Sequence, residues 1–128
     1  MKQVDVVGAV IVNESGEILC ALRSQQMSLP GLWEFPGGKI EPGEEPRDTL
    51  VREIKEELLC DIGVGDLIVD IVHEYPTIKV RLITYFAKIT SGMPLATEHE
   101  KLRWVYRTEL LSLNWAPADV PTVEKILT

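Results

Sequence analysis

The sequence predicts an α/β fold, a mixed β-sheet covered on both faces by helices. Three observations point there. The chain has 128 residues, 45% hydrophobic and 26% charged, an ordinary globular composition long enough to bury a core in one domain, 1–128. Runs rich in Val and Ile recur on either side of short turn signals, as expected of paired strands. One strong amphipathic helix stands mid-chain and a second closes it, so both faces of a sheet can be covered.

The elements follow in order. Lys2 to Val12 is rich in Val and Ile and reads as a mostly buried strand. Asn13-Glu14-Ser15-Gly16 is a turn signal, and Glu17 to Arg23 reads as the returning strand of a hairpin. Gln25 to Gly31 is a polar loop, and Leu32 to Phe35 a short strand broken by Pro36-Gly37-Gly38. Glu41-Pro42-Gly43 marks a turn before the best helix, Pro46 to about Cys60, where Pro46 suits the first turn. Its Leu50, Val51, Ile54 and Leu58 fall within an arc of about 100°. Leu67 to Tyr75 and Ile78 to Ile89 are two strands joined at Pro76-Thr77. Lys101 to Tyr106 is a short strand, Thr108 to Leu113 holds a helical turn, and a last helix runs from Val120 or Pro121 to Leu127.

Composition excludes several classes. The apolar run nearest the start, Val6 to Val12, is far short of the roughly 20 residues of a spanning helix, and no basic segment precedes it. A cytoplasmic protein with no membrane partner is expected. Cys20 and Cys60 form no CxxC pair, so reduced, packed thiols are expected and not a zinc site. The net charge of −7 disfavours nucleic acid polymers.

That charge is concentrated. Glu41, Glu44, Glu45, Asp48, Glu53, Glu56 and Glu57 face only Arg47, Arg52 and Lys55. In helical projection from Leu50, Glu57 falls near 340°, Glu53 near 300° and Glu56 near 240°, so three carboxylates border the buried face as one stripe. Glu53 and Glu57 are a like-charge i,i+4 pair, mildly destabilising in a purely structural helix. Carboxylate oxygens are preferred ligands of Mg²⁺ and Mn²⁺, and a cation would remove the repulsion. A solvated acidic face is the competing reading. The preceding loop favours the metal: Gly37-Gly38 allows close backbone approach, and Lys39 brings a cation suited to phosphate. No P-loop is present, because Trp33 stands at its first glycine position and Ile40 follows Lys39. There is no GxSxG and no GxGxxG.

Gly38, five residues, Glu44, seven residues and then Arg52-Glu53-Ile54-Lys55-Glu56-Glu57 resembles the Nudix box, GX5EX7REUXEEXGU, at every charged position. Glu34-Phe35-Pro36-Gly37-Gly38-Lys39, Glu98-His99 before Trp104, and Ala116-Pro117-Ala118-Asp119 are similar to the MutT group of that family. Trp33-Glu34-Phe35 and Ala116 to Pro121 look closest to its CTP pyrophosphohydrolase, NudG-like, branch. One departure sits in the box: Leu59 stands where the family has a glycine. Leucine in the left-handed conformation is strained, so the helix is expected to run on and leave at Asp61 or Gly63.

The resemblance implies a Nudix α/β/α sandwich with a mixed β-sheet. It implies hydrolysis of a nucleoside triphosphate to monophosphate and pyrophosphate, with Mg²⁺ as cofactor and Mn²⁺ as a substitute. By position, Glu53, Glu56 and Glu57 hold the metal, with the Gly37 or Gly38 carbonyl completing the shell. Glu98 is a further ligand or the general base, and the sequence does not divide those roles among Glu53, Glu56 and Glu98. Arg52 and Glu44 brace the carboxylates or form a plain salt bridge. Arg23 and Lys39 are candidates for triphosphate contact, and Glu34, Phe35, Gly37 and Gly38 for the rest of the substrate. Asp119 stands where group members that bind the 8-oxoguanine base carry asparagine. An ionised aspartate only accepts, which suits the N4 amino group of cytosine and also guanine's donors. Asp119 could instead, or also, cap the last helix.

Three function classes compete: a nucleoside triphosphate pyrophosphohydrolase for cytosine nucleotides or 8-oxo-dGTP, a Nudix hydrolase for nucleotide sugars or dinucleoside polyphosphates, and a non-catalytic nucleotide sensor. The last should have lost box glutamates, and none is missing. The expected partner is a small nucleotide, bound by a monomer or homodimer.

Overall fold

The computed structural model describes residues 1–128. Seven strands run β1 (Lys2–Ile11), β2 (Glu17–Leu22), β3 (Trp33–Glu34), β4 (Gly37–Lys39), β5 (Asp61–Glu74), β6 (Ile78–Ser91) and β7 (Lys101–Tyr106). Helix α1 (Pro46–Leu58) separates β4 from β5, and α2 (Val120–Ile126) ends the chain. Arg107–Ser112 and Pro117–Asp119 are short 3-10 helices. No helix is long and apolar enough to cross a membrane.

The strands form two sheets. One is mixed, in the order β4-β1-β6-β5; the other is antiparallel, in the order β3-β2-β7. Parallel pairing of β1 with β6 makes the first sheet mixed, while β4 and β5 pair antiparallel at its edges. The expected β1–β2 hairpin forms only at its turn. Asn13 Oδ1 accepts from the N–H groups of Ser15 and Glu17, and one bridge joins Val12 to Ile18. Beyond it β1 and β2 part into different sheets, β1 pairing with β6 and β2 with β7 along their lengths.

This parting makes two cores. Val7, Ala9 and Ile11 of β1 and Leu19 of β2 pack with Leu50, Ile54 and Leu58 of α1. Val10 of β1 and Ile18, Cys20 and Leu22 of β2 face the other way, toward Val123 and Ile126 of α2. Alternation along a strand sends successive side chains to opposite faces, so strands buried on both faces read as continuous apolar runs. Thr84 and Thr122 share a buried hydroxyl–hydroxyl bond of 3.0 Å between β6 and α2.

Gly37-Gly38 is not a break but the short edge strand β4. At Gly37 any Cβ would lie 1.9 Å from the Val7 carbonyl oxygen, so only bare backbone packs there. The strand expected from Leu67 starts earlier, at Asp61, across register shifts between Val64 and Val69. Its Gly- and Asp-rich start lacks strand propensity; pairing with β6 imposes it. Arg47 steadies this irregular stretch, donating to the Gly65 carbonyl at 2.8 Å and lying over the Tyr85 ring.

Helix α1 departs from expectation in two places. Val51 is 38% exposed and Thr49 is buried instead, its hydroxyl donating to Glu44 Oε1 and the Glu45 carbonyl. The helix also stops at Leu58, and Leu59 takes the left-handed conformation (φ 58°, ψ 33°) with its N–H on the Lys55 carbonyl. The chain must turn there to enter β5, and at 54% exposure Leu59 contributes little packing. A leucine held at positive φ costs about 1 kcal/mol relative to glycine. L59G is therefore expected to raise the unfolding free energy by roughly 0.5–1 kcal/mol, measured by urea denaturation. A loss of stability would show that Leu59 packing outweighs the strain.

Candidate active site

The acidic stripe of α1 is organised by Arg52. Its Nε and Nη2 take both oxygens of Glu44 at 2.8 and 2.9 Å, and Nη1 reaches Glu53 Oε1 at 3.0 Å and Glu56 Oε2 at 3.2 Å. Nη2 also donates to the Lys39 carbonyl at 3.3 Å. Glu44 is thereby held to about 2, by Arg52 first and by the Glu41 N–H second. Glu53 lies over Gly38, where an added Cβ would stand 2.2 Å from its carboxyl carbon. Burial pushes Glu53 up, partly offset by Arg52. Glu57, one turn on, is pushed to about 8 by burial and then by the charges of Glu34, Glu53 and Glu98. Its Oε1 is buried with no hydrogen-bond partner.

Beside this stripe opens a cleft of about 550 Å³. Arg23, Glu34, Phe35, Gly37, Gly38, Glu57 and Asp119 all line it. Glu34 is clamped from both sides: Arg23 Nη1 donates to one oxygen, and the buried His99 Nε2 donates to the other at 2.7 Å. Arg23 also holds the polar loop, through the carbonyl and hydroxyl of Ser28. Glu98 sits on an exposed loop, tied down around it by His99, by Thr97 Oγ1 on the Glu57 carbonyl (2.6 Å) and by Glu100 N–H on the Leu22 carbonyl (2.9 Å).

Asp119 is buried, and its Oδ1 accepts the Phe35 N–H at 3.1 Å across 84 positions of sequence. It makes no capping bond to α2, so the capping role is not the one it takes. The Phe35 ring packs on Trp115, centroids 4.7 Å apart. Burial and then the charge of Glu34 push Asp119 to about 8. Burial thus favours the neutral carboxyl over the ionised one in the ligand-free cleft. The neutral form both donates and accepts, rather than only accepting as the ionised form does.

The profile described as the NUDIX domain matches residues 2–126. The chain belongs to the Nudix family. Among Nudix relatives it is 39% identical to the CTP pyrophosphohydrolase of Escherichia coli K12, over 99% of this chain and 93% of that one. It is 37% identical to the putative 8-oxo-dGTP diphosphatase 2 of Mycobacterium tuberculosis H37Rv, over 93% and 84%. A solution structure of the Nudix hydrolase MutT from methicillin-resistant Staphylococcus aureus 252 superposes with a TM-score of 0.80 at 50% identity, covering 99% and 98%. The protein is a Nudix hydrolase.

Nudix hydrolases generally need a divalent metal, and the residues present fit one. The orphaned buried oxygen of Glu57 is unfavourable for a carboxylate without a counter-charge, and the bare backbone of Gly38 seats Glu53 close beside it. The donors are all oxygens, as hard divalent cations require. No three such side chains are already gathered around one point, since Arg52 occupies Glu53 and Glu56.

Not every expected site residue meets the cleft. Lys39 is exposed and outside its lining, contributing only its carbonyl to Arg52. Glu56 is exposed on the outer edge of the stripe, and both oxygens of Glu44 are taken up by Arg52 and the Glu41–Thr49 turn. Residues with no sequence signal of a site also line the cleft, notably Met27 and Tyr75. Val80 and Leu82 do so as well, and their alternation with Lys79 and Arg81 could have marked that face.

The two raised carboxyls set a pH dependence. Between about 4, the unfolded value, and about 8, the folded protein keeps protons on Glu57 and Asp119 that the unfolded chain has released. Stability should therefore fall as pH rises through that window. Urea denaturation of the metal-free protein at pH 5, 6.5 and 8 should show the decline, with a shallower slope in D119N. An equal slope in D119N would show that Asp119 ionises freely in the fold.

Proposed function

We propose that residues 1–128 act as one hydrolase domain that converts a (deoxy)nucleoside triphosphate to monophosphate and pyrophosphate, favouring cytosine nucleotides: CTP, dCTP or a 5-modified dCTP. The observation that carries the base preference is the bond from Phe35 N–H to Asp119 Oδ1. It commits one carboxyl oxygen to the protein and leaves the other without a protein donor. Once the carboxyl has released its proton to solvent, that oxygen accepts the N4 amino group of cytosine, whose hydrogen bond stabilises the ionised form. In D119N the same N–H would claim the amide oxygen and leave the NH₂ facing the base. A donor would then meet a donor.

Mg²⁺, with Mn²⁺ as substitute, is the proposed ion, held by Glu53, Glu56, Glu57 and Glu98 with the Gly37 carbonyl. Bound there, a divalent cation neutralises phosphate charge and lowers the pKa of a coordinated water. The chain's own residues do the rest. Arg52 and Glu44 orient the carboxylates, and Glu53, Glu56 or Glu98 accepts the proton of the attacking water. Glu34 and Arg23 hold the cleft wall against the substrate, and Lys39 meets the outer phosphates only if its edge strand shifts. All these groups come from one chain, which supports a monomer or a homodimer with separate sites. Two buried free thiols suit the reducing cytoplasm, where the triphosphate pool lies.

A second reading is 8-oxo-dGTP hydrolysis. The protonated form of Asp119 favours it, because a carboxylic O–H can donate to a guanine oxygen.

Incubation with Mg²⁺ and a nucleotide panel, with products resolved by chromatography, tests these readings. The panel holds the NTPs and dNTPs, 8-oxo-dGTP, 5-methyl-dCTP, ADP-ribose and a dinucleoside polyphosphate. Monophosphate plus pyrophosphate from cytosine nucleotides is expected; cleavage of only ADP-ribose or the dinucleoside polyphosphate would overturn the substrate class. E57Q should lose on the order of a hundredfold or more in kcat while still folding. D119N should shift the kcat/KM ratio of CTP to 8-oxo-dGTP by on the order of tenfold or more against CTP. An unshifted ratio would remove the base argument.

A further inference from the structure

Tyr75 stands at the turn from β5 to β6, its N–H on the Ile78 carbonyl at 2.8 Å and its ring edge-on to His73. Its hydroxyl oxygen accepts the N–H of Ala118 at 3.1 Å. A phenol has one O–H to donate and accepts through its oxygen. The acceptor role is therefore used by the main chain, and no protein group takes the proton. Ala118 directly precedes Asp119, in the same 3-10 turn, Pro117–Asp119. The Tyr75 hydroxyl is thus anchored on the residue next to Asp119, by Ala118 N–H, while the Asp119 carboxyl is itself fixed by Phe35 N–H. Both line the cleft, whose neighbouring wall is apolar, with Val4, Val6, Val80 and Leu82. An unmet phenol O–H beside a carboxyl oxygen that no protein donor meets, on an apolar wall, is the pattern of a site that reads one polar edge.

We propose that Tyr75 is a specificity-determining residue, its O–H donating to the ring nitrogen N3 of a bound cytosine beside the amino group that Asp119 accepts. The assignment rests on the cytosine reading above. Donor beside acceptor matches cytosine, whose amino group adjoins an acceptor ring nitrogen. Uracil presents the inverse pair, an oxygen acceptor beside an N–H donor, and is refused at both points. Burial raises the phenol above its ordinary value and keeps it protonated, partly offset by the Ala118 N–H. A residue serving only to satisfy the Ala118 N–H would influence all substrates alike.

The test compares kcat/KM for CTP and for 3-deaza-CTP, which lacks the N3 acceptor, in the wild type and in Tyr75→Phe, with a thermal melt to confirm folding. The wild type should favour CTP by about tenfold or more, since a site built around a polar group rejects an analogue lacking it. In Y75F that ratio should collapse toward one, and UTP should be excluded less strongly. Should Y75F fail to fold, Tyr75→Met supplies a second chain without the hydroxyl. Wild-type indifference between CTP and 3-deaza-CTP overturns the proposal without any variant. A preference that survives unchanged in Y75F or Y75M overturns it too, and leaves the cytosine reading standing. No turnover of CTP or dCTP by wild type, with another triphosphate hydrolysed, sinks the cytosine reading itself.

Discussion

Arg52 joins three parts of the chain that would otherwise repel or drift apart. Its fork takes both oxygens of Glu44 in the loop before α1, reaches Glu53 and Glu56 on the helix itself, and touches the Lys39 carbonyl at the end of β4. Without that charge, Glu53 and Glu56 would face each other and the buried Glu57 with no compensation. A planar guanidinium does this better than an ammonium, because two parallel bonds to one carboxylate set direction as well as distance. Exposed ion pairs are worth little singly. The value here lies in geometry: the helix meets the edge strand with its acidic stripe turned toward Gly37 and Gly38. The bare backbone of Gly38 lets the Glu53 carboxylate come close, and that of Gly37 lets β4 pack on β1.

The second joint closes the far side of the cleft. Phe35 lies between β3 and β4, where the chain crosses from one sheet to the other, and the Pro36 carbonyl accepts the Ala9 N–H at 2.8 Å. Asp119 arrives from the other end of the chain and takes the Phe35 N–H. The cleft occupies the gap left as the sheets diverge. One wall is the apolar face of β1 and β6, and one edge is the line of polar groups at Glu34, Phe35 and Asp119.

Burial then changes what the polar groups are. Glu57 and Asp119 are ordinary carboxyls in the sequence, but burial in the fold pushes both up to about 8. Any bound group that favours the ionised form of either must supply the free energy of removing its proton. A cation beside Glu57 or an amino group beside Asp119 does that directly. The site is thus poised for ligands carrying positive charge or donor hydrogens, and its metal-free form gains stability by keeping its protons.

Local patterns settled much of this protein in advance. The 3.6-residue period placed Glu53, Glu56 and Glu57 on one stripe, Pro46 started the helix, and the spacing from Gly38 to Glu57 identified the family. Each of those depends only on residues close in sequence, where helical geometry fixes who neighbours whom. The features that were misread, left open or unseen all depend on distant partners. Leu59 accepts a left-handed conformation because β5 must begin there, and Val51 is exposed because α1 leans so that Thr49 meets Glu44. Asp119 looks like a helix cap from its neighbours, yet its carboxyl belongs to Phe35. Tyr75 carries no signal at all until Ala118 arrives beside it. The sequence by itself determined which side chains carry the charge and match the family's motif; the tertiary structure decided which are buried, paired or left unmet. Burial and hydrogen-bond satisfaction are properties of the packed chain as a whole, and no local pattern contains them.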